Sequence, residues 1–256
     1  IKDASMREAF GPYWYCGGLT GWCAETNVGK SQVVCMLTRQ MNADGIPVLV
    51  LDNEMEAADF RNRIIAGSTN IPLVALVTGD AFNPTSEYYR ILKKYIAETG
   101  ERQKLIEWRK VLDMTYERVE PIIRRFIRKY PAREYPYKCI IVDGIKMTNE
   151  GDSLFAVGYF VQKLKALSGR FATEGVHIHF TAQLQRPPRA TVRERAANPP
   201  DHNSIGLSKL IADNATTIAI ITKEPLPDFS GYDPTKRRIY VPKNRYHKTL
   251  EVNSYL

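Results

Sequence analysis

Short apolar runs alternate along the chain with longer segments in which apolar residues recur at helical spacing. The apolar runs predict strands at residues 19–24, 46–51, 137–143, 176–181 and 217–222, and two shorter runs, 237–241 and 250–252, predict an antiparallel pair at one edge. Helical spacing is clearest for Phe160, Leu164, Leu167 and Phe171, and residues 56–135 are predicted to be mainly helical. Strands that alternate with helices predict an α/β fold with a mostly parallel central sheet, helices on both faces and an antiparallel edge hairpin.

Residues 24–31 read Ala-Glu-Thr-Asn-Val-Gly-Lys-Ser, between the first predicted strand and a helical run at 32–41. This strand, loop and helix arrangement is the context of a phosphate-binding loop, in which backbone amides at a helix N-terminus cradle phosphate oxygens. The strict motif begins with glycine, whereas this chain has Ala24. The predicted ATP-binding residues are Ala24, Glu25, Thr26, Asn27, Val28, Gly29, Lys30, Ser31 and Gln32, with Lys30 on the outer phosphates and the Ser31 hydroxyl on Mg²⁺.

Two carboxylates, one at the end of a predicted strand and one just after another, complete a candidate ATPase site. Asp143 ends the run Cys-Ile-Ile-Val-Asp and is predicted to hold Mg²⁺ through its water shell. Glu54 lies just after the second strand, where a carboxylate can orient or deprotonate the attacking water. Asp52 is a rival base, and either Asp52 or Asn53 could serve as the N-cap of the helix that follows.

Composition narrows the class of protein without defining its activity. The 256 residues carry a formal charge of +8 and a pI near 9.2, which favours a polyanionic partner. The cysteines lack metal-ligand spacing and are typical of reduced, cytosolic core residues, and a structural role is predicted for His177 and His179. Since no apolar run reaches the length needed to span a bilayer, we expect a cytoplasmic protein without a membrane partner.

The order of these motifs resembles the ATPase domain of the DnaB-type replicative helicases, a branch of the RecA-like P-loop NTPases. Glu54-Met55 matches the Glu-Met pair of that family, and residues 175–186 are similar to its strand and Gln-Leu-Asn-Arg segment, with Gln183 as the γ-phosphate sensor. Lys243-Asn-Arg245 resembles the Lys-x-Arg pair that reaches the neighbouring subunit's nucleotide. The resemblance covers residues 18–256 as one RecA-like domain and leaves residues 1–17 as an N-terminal arm or linker remnant.

The resemblance implies a ring, expected to be hexameric, that hydrolyses ATP with Mg²⁺ and translocates on single-stranded DNA, with a primase or helicase loader as a possible partner. Lys30, Glu54, Gln183, Lys243 and Arg245 would be catalytic. Two loops would contact DNA through Lys146, Arg186, Arg189, Arg193 and Arg195.

Other interpretations of these residues and of the chain stay open. The loop at 186–195 could equally be a mobile surface loop, and Lys243 and Arg245 could be solvated charges in a basic hairpin. For the whole chain, the alternatives are a RecA- or RadA-like recombinase, a KaiC-like regulatory ATPase and a non-hydrolysing nucleotide-binding subunit.

Three features of the sequence depart from the pattern of the DnaB-type helicases. Gly144 follows Asp143 where a bulky residue is usual, Ser208-Lys209-Leu210 replaces an acidic stretch, and no glycine follows Arg245. These departures suggest a divergent member, possibly phage- or plasmid-encoded.

Overall fold

The computed structural model describes residues 14–145, 154–184, 191–198, 209–246 and 250–255, and in these the chain forms one sheet of eight strands. The strands are β1 (Leu19–Ala24), β2 (Val48–Asp52), β3 (Ile106–Lys110), β4 (Lys138–Ile145), β5 (Val176–Gln183), β6 (Thr217–Pro225), β7 (Tyr232–Asn244) and β8 (Leu250–Tyr255). Their order is β3-β2-β4-β5-β1-β6-β7-β8. All pairs from β3 to β6 are parallel, and β7 and β8 extend the sheet in antiparallel fashion.

Helices occupy both faces of this sheet. They are α1 (Lys30–Ala43), α2 (Ala57–Thr69), α3 (Leu73–Val77), α4 (Glu87–Gln103), α5 (Tyr116–Lys129), α6 (Leu154–Arg170), α7 (Val192–Ala197) and α8 (Lys209–Asn214), with 3₁₀ turns at Asp80–Phe82 and Ala172–Glu174. The predicted α/β architecture and its antiparallel edge hairpin, in which Val241 pairs with Leu250, are confirmed.

The core is divided by the sheet into two apolar layers, because successive strand residues point to opposite faces. In β2, Leu49 and Leu51 pack in the layer that contains residues of α5 and α6. Val48 and Val50 pack in the other layer, with residues of α1 and α2. Burial on both faces explains why the central strands read as continuous apolar runs and not as alternating patterns.

The carboxyl ends of the central parallel strands lie at one edge of the sheet. Ala24 at the end of β1 is in register with Gln183 of β5, and Asp52 at the end of β2 is in register with Asp143 of β4. The candidate residues from four separate strands therefore meet at the edge where open α/β sheets bind their ligands.

The expectation that residues 56–135 are mainly helical misses one strand. β3 pairs with β2 in parallel and forms an edge of the described sheet. Its sequence, Ile-Glu-Trp-Arg-Lys, alternates apolar and charged residues over only five positions, between two charged helices. Charged side chains are typical of edge strands, which must not pair with other chains.

Candidate active site

The loop between β1 and α1 has the backbone geometry of an anion-binding site. Asn27 and Gly29 both have positive φ angles, of 59° and 120°, so the chain reverses tightly before α1 begins at Lys30. Such turns direct successive amides into one concavity, and the N-terminus of α1 adds its partial positive charge there. No acidic residue lies in the first turn of α1, so no side chain of that turn competes with an anionic ligand.

Lys30 extends back over this loop. Its Nζ donates to the carbonyl oxygens of Ala24, at 3.3 Å, and Glu25, at 3.2 Å. The ammonium group is therefore held at the mouth of the loop, where it can contact the outer phosphates of a bound nucleotide.

A cleft of about 460 Å³ opens next to the loop and brings together most of the predicted catalytic residues. Its lining includes Lys30, Ser31, Glu54, Asp143 and Gln183, and it also includes three residues that the sequence did not single out, namely Arg63, Thr181 and Arg237. A volume of this size is in the range of small-molecule and cofactor sites.

Asp143 is 5% exposed at the end of β4. Thr181 of β5 donates a hydrogen bond to Oδ1 of Asp143 and accepts one, of 2.7 Å, from the amide of Gly144. Burial is the main cause that raises the pKa of Asp143 to about 6; the Thr181 hydrogen bond acts against it, and the negative charges of Asp52 and Glu54 add to the rise. A buried carboxylate in negative surroundings is a site that a cation would stabilise.

We therefore expect Asp143→Asn to stabilise the protein when nucleotide and divalent metal are absent. The folded-state pKa of about 6 lies above the ordinary value of 3.8, so the folded protein binds more protons between these values and its stability falls as the pH rises through this window. The variant lacks this loss and should be more stable by roughly 1–3 kcal/mol at neutral pH, with no gain near pH 4. Urea denaturation followed by circular dichroism from pH 4 to 7 measures the difference, and a variant less stable than wild type throughout would contradict it.

Asp52 does not serve as a helix N-cap, nor does Asn53. The helix that follows, α2, begins at Ala57, with Glu56 at its N-cap position. Asp52 Oδ1 instead accepts from the amides of Glu54, at 2.7 Å, and Met55, at 3.0 Å, and so closes a turn just after β2. The expectation of a cap fails because the helix begins only at Ala57, four residues after Asn53, and Glu56 holds the N-cap position.

The same turn distinguishes the two candidate bases. Asp52 is fully buried, and burial raises its pKa. Glu54 is exposed and lines the cleft. A base must reach a water molecule beside the terminal phosphate, so the geometry favours Glu54, with Asp52 as the residue that shapes its turn.

The structure explains why glycine, and not a bulky residue, follows Asp143 at position 144. The φ angle of Gly144 is +79°, and a Cβ atom built on it would lie 2.4 Å from Oδ1 of Asn53. The side-chain Nδ2 of Asn53 donates to the Gly144 carbonyl oxygen at 2.8 Å, so a hydrogen bond joins the two segments that carry Glu54 and Asp143. The close approach requires glycine.

Gln183 connects the end of β5 to the phosphate loop. Its amide nitrogen donates to Thr26 Oγ1 at 2.8 Å, and the amide of Leu184 donates to the carbonyl oxygen of Ala24 at 2.9 Å. Gln183 thus lies where it can respond to the occupant of the loop.

Lys243 and Arg245 lie away from this cleft. Lys243 is in register with Ile218, near the amino end of β6, whereas the cleft lies at the carboxyl ends of the parallel strands. Lys243 Nζ donates to the carbonyl oxygens of Ala212 and Asp213, and Arg245 donates to that of Asp213 at 2.9 Å. Both cations therefore contact the last turn of α8, where helix carbonyls favour positive charge.

The predicted DNA contacts are only partly covered by the structure. Lys146, Arg186 and Arg189 lie outside the described residues. Arg195 of α7 forms an ion pair of 3.1 Å with Glu25 of the phosphate loop. The guanidinium of Arg193 lies 5.6 Å from the centre of the Phe229 ring.

The remaining titratable groups of the core have structural roles. His177 and His179 are buried; burial lowers the pKa of His177 to about 4 and that of His179 as well, so both imidazoles are neutral. Cys23, Cys35 and Cys139 are buried free thiols, whereas the predicted core residue Cys16 is only half-buried. Within the described ranges, no helix is long and apolar enough to cross a membrane, and no group of three or more histidine, cysteine or acidic side chains could hold a metal ion.

A glycine-containing loop before a helix, a lysine folded over that loop and carboxylates at the ends of neighbouring parallel strands define a P-loop nucleotide-binding domain. A family model described as the DnaB-like helicase C-terminal domain matches residues 17–255. The chain belongs to this family, so the predicted membership among the DnaB-type helicases is confirmed.

Two solved structures show the same fold. The first is a DnaB-like replicative helicase, described with its interactions with primase, with a TM-score of 0.78 at 16% identity over 94% of this chain and 55% of that chain. The second is described as an ATPase domain, with a TM-score of 0.77 at 17% identity over 93% of this chain and 81% of that chain. The chain thus spans 55% of the length of the first protein. No curated protein sequence matches it. The predicted RecA-like fold is confirmed.

Proposed function

We propose that this chain is the ATP-hydrolysing motor of a replicative helicase, which assembles as a ring, expected to be hexameric, and translocates on single-stranded DNA. One observation carries the proposal: the cleft that gathers Lys30, Ser31, Glu54 and Asp143 at one edge of the sheet. We further propose that residues 18–256 form the motor domain and residues 1–17 an arm that precedes it, in a cytoplasmic protein with a primase or a helicase loader as its partner.

The residues of the cleft fit a nucleoside triphosphate with Mg²⁺. Ser31 offers a hydroxyl and Asp143 a carboxylate whose pKa is raised mainly by burial, and a cation would stabilise its charged form. Two protein oxygens suit Mg²⁺, which is usually bound through one or two carboxylates together with substrate phosphates and water. When bound there, Mg²⁺ would supply positive charge to offset the charge that develops on the phosphates. Ser31 and Asp143 would hold it, while the loop amides and Lys30 bind the phosphates.

Glu54 would orient the attacking water and accept its proton. The Asp52 turn and the contact between Asn53 and Gly144 hold Glu54 at the cleft. Gln183, bonded to Thr26, would report the presence of the terminal phosphate to the segment that follows β5. That segment includes four of the five predicted DNA-contacting residues, namely Arg186, Arg189, Arg193 and Arg195.

Lys243 and Arg245 would act on the nucleotide of a neighbouring subunit. They lie beside the amino ends of the parallel strands, whereas the cleft of the same chain lies at the carboxyl ends. A contact between these cations and a phosphate therefore requires a second copy of the chain. A head-to-tail contact of this kind generates a ring when its rotation closes. Hydrolysis would then depend on assembly, since a cation supplied in trans stabilises the transition-state charge.

The proposed DNA path uses Lys146, Arg186, Arg189, Arg193 and Arg195. The formal charge of +8 favours a polyanion, and contacts to the phosphate backbone would be independent of base sequence. Arg195 would also hold α7 against the phosphate loop, through its ion pair with Glu25.

Single-stranded DNA should stimulate ATP hydrolysis severalfold in the assembled protein. Neutralising Arg189 and Arg193 as the Arg189→Gln/Arg193→Gln variant should weaken DNA binding at every sequence and lower the salt slope by about 0.7 for each lost phosphate contact. The basal ATPase rate should remain, while its stimulation by DNA falls. Titrations with a fluorescent oligonucleotide at several salt concentrations measure both effects.

The matched control is Arg125→Gln/Arg128→Gln, which removes the same charge from exposed positions of α5. Equal losses in the two double variants would assign the effect to net charge. Hydrolysis that never responds to DNA would contradict the motor function, and a complete absence of hydrolysis would point to the non-hydrolysing nucleotide-binding subunit.

A further inference from the structure

Arg237 lies beside the phosphate loop, although it belongs to the antiparallel part of the sheet. It is in register with Lys223 near the end of β6 that adjoins the cleft, and its side chain lines that cleft. Its Nε donates to the carbonyl oxygen of Val28, within the loop, at 2.8 Å. A Cβ atom built on Gly29 would lie 4.0 Å from the same Nε. The guanidinium is therefore attached to the loop just before α1 begins.

The charge of Arg237 is held by neutral acceptors. Its Nη1 donates to the carbonyl oxygens of Asp233, Pro234 and Lys236, at 3.5, 3.1 and 2.8 Å. In the part of the chain that the structure describes, no carboxylate forms an ion pair with it. The next residue differs in this respect, since the Arg238 guanidinium pairs with the Glu224 carboxylate. Arg237 thus presents a partly buried positive charge, fixed in position and not neutralised by an acid.

The order of the strands shows which part of a nucleotide this charge would meet. Glu54 follows β2 and Asp143 lies near the carboxyl end of β4, and both strands are on one side of β1, whereas Arg237 belongs to β7, on the other side. The terminal phosphate must lie near the carboxylates that serve hydrolysis and Mg²⁺. A nucleotide bound along the loop then extends its nucleoside end in the opposite direction, toward β6 and β7.

We propose that Arg237 is a nucleotide-binding residue that acts in cis on the α-phosphate, at the nucleoside end of the cleft. The inference rests on the proposed function, because it assumes a nucleoside triphosphate in this cleft. A guanidinium held in position forms charge-assisted hydrogen bonds to phosphate oxygens without having to be ordered first. Arg237 differs in role from Lys243 and Arg245: it binds the part of the nucleotide that ATP and ADP share, so it contributes to affinity and not to the chemical step.

The test is the affinity of Arg237→Gln for both nucleotides. Glutamine keeps an amide that can donate to Val28 but removes the charge. The Kd values for ATP and ADP should both rise by about tenfold at low salt, while kcat at saturating ATP stays within about twofold of wild type. Because the lost contact is electrostatic and partly exposed to solvent, the difference from wild type should shrink at high salt. Fluorescent-nucleotide titrations at two salt concentrations and steady-state kinetics measure these quantities.

Three controls make the result specific. Lys236→Gln removes a charge from the adjacent, exposed position, which does not line the cleft, and should leave both Kd values unchanged. Arg237→Lys keeps the charge and should stay within about threefold of wild type. Lys30→Ala should lose nucleotide binding or turnover; if it binds and hydrolyses ATP as wild type does, the proposed function itself fails.

The proposal for Arg237 would be overturned on its own if Arg237→Gln kept wild-type Kd values while Lys30→Ala did not. It would also be overturned if the loss were independent of salt and equally large in Arg237→Lys, since Arg237 would then only hold the loop through Val28. Circular dichroism spectra and melting temperatures of all variants verify that each has folded.

Discussion

Replacing Lys30 by alanine should lower the ATP turnover by about 10³-fold and leave the free energy of unfolding within about 1 kcal/mol of wild type. The large effect on turnover follows from the position of Nζ at the mouth of the loop, where it would face the charge that develops on the outer phosphates. The small effect on stability follows because Lys30 is only partly buried and its bonds to Ala24 and Glu25 can be replaced by water.

The measurement pairs steady-state ATP hydrolysis with thermal unfolding of the nucleotide-free protein. Lys93→Ala is a suitable control, since it removes an exposed lysine from α4 and should change neither quantity. Turnover at the wild-type rate in Lys30→Ala would remove the loop at 24–31 from the active site. A variant that loses both turnover and fold would show that Lys30 supports the loop structurally.

The parts of the fold that could be predicted from sequence are those in which the local pattern and the tertiary environment agree. β1, β2, β4, β5 and β6 are buried on both faces, so each reads as an apolar run, and each was located within a few residues. The loop at 24–31 could be placed because its chemistry requires consecutive residues. β3 was missed because an exposed edge strand of five residues carries no such signal.

The candidate site shows the same division. A motif can define the positions of Lys30, Ser31, Glu54, Asp143 and Gln183 at or just after the carboxyl ends of strands, and the structure brings these residues to one cleft. Thr181 and Arg237 belong to the same cleft, but their roles depend on which strands are neighbours in the sheet. The one local signal for Thr181 was its place two residues before Gln183 in the same strand.

Two contacts could not have been predicted from residue type. The pairing of Arg195 with Glu25 spans 170 positions, and the approach of Asn53 to Gly144 depends on the positive φ angle of that glycine. Lys243 and Arg245 show the converse: their spacing resembles a motif, but the contacts they make with the end of α8 become visible only in three dimensions. Sequence patterns identify the chemistry of a site more readily than the partners that position it.

Replacing Glu54 by glutamine should lower the hydrolysis rate by about 10²- to 10⁴-fold while ATP still binds. Glutamine keeps the size and polarity of the side chain but cannot accept the proton of the attacking water. Asp52→Asn is the matched control, because Oδ1 of asparagine can still accept from the amides of Glu54 and Met55, so activity should remain within about tenfold of wild type. Single-turnover hydrolysis and nucleotide titrations of both variants measure this, and reversed phenotypes would identify Asp52 as the base.

Glu54→Gln also serves to test whether Lys243 and Arg245 act between subunits. Arg245→Ala subunits should bind ATP and assemble but fail to hydrolyse it, as Glu54→Gln subunits do. When the two are mixed, some interfaces combine an intact Glu54 from one subunit with an intact Arg245 from the next, and these interfaces should recover hydrolysis in proportion to their frequency. The ATPase rate is measured against the mixing ratio, with subunit exchange verified by fluorescence energy transfer. Full activity of Arg245→Ala alone would show that Arg245 only caps α8, as its bond to the Asp213 carbonyl oxygen allows, and that the cleft is complete within one chain.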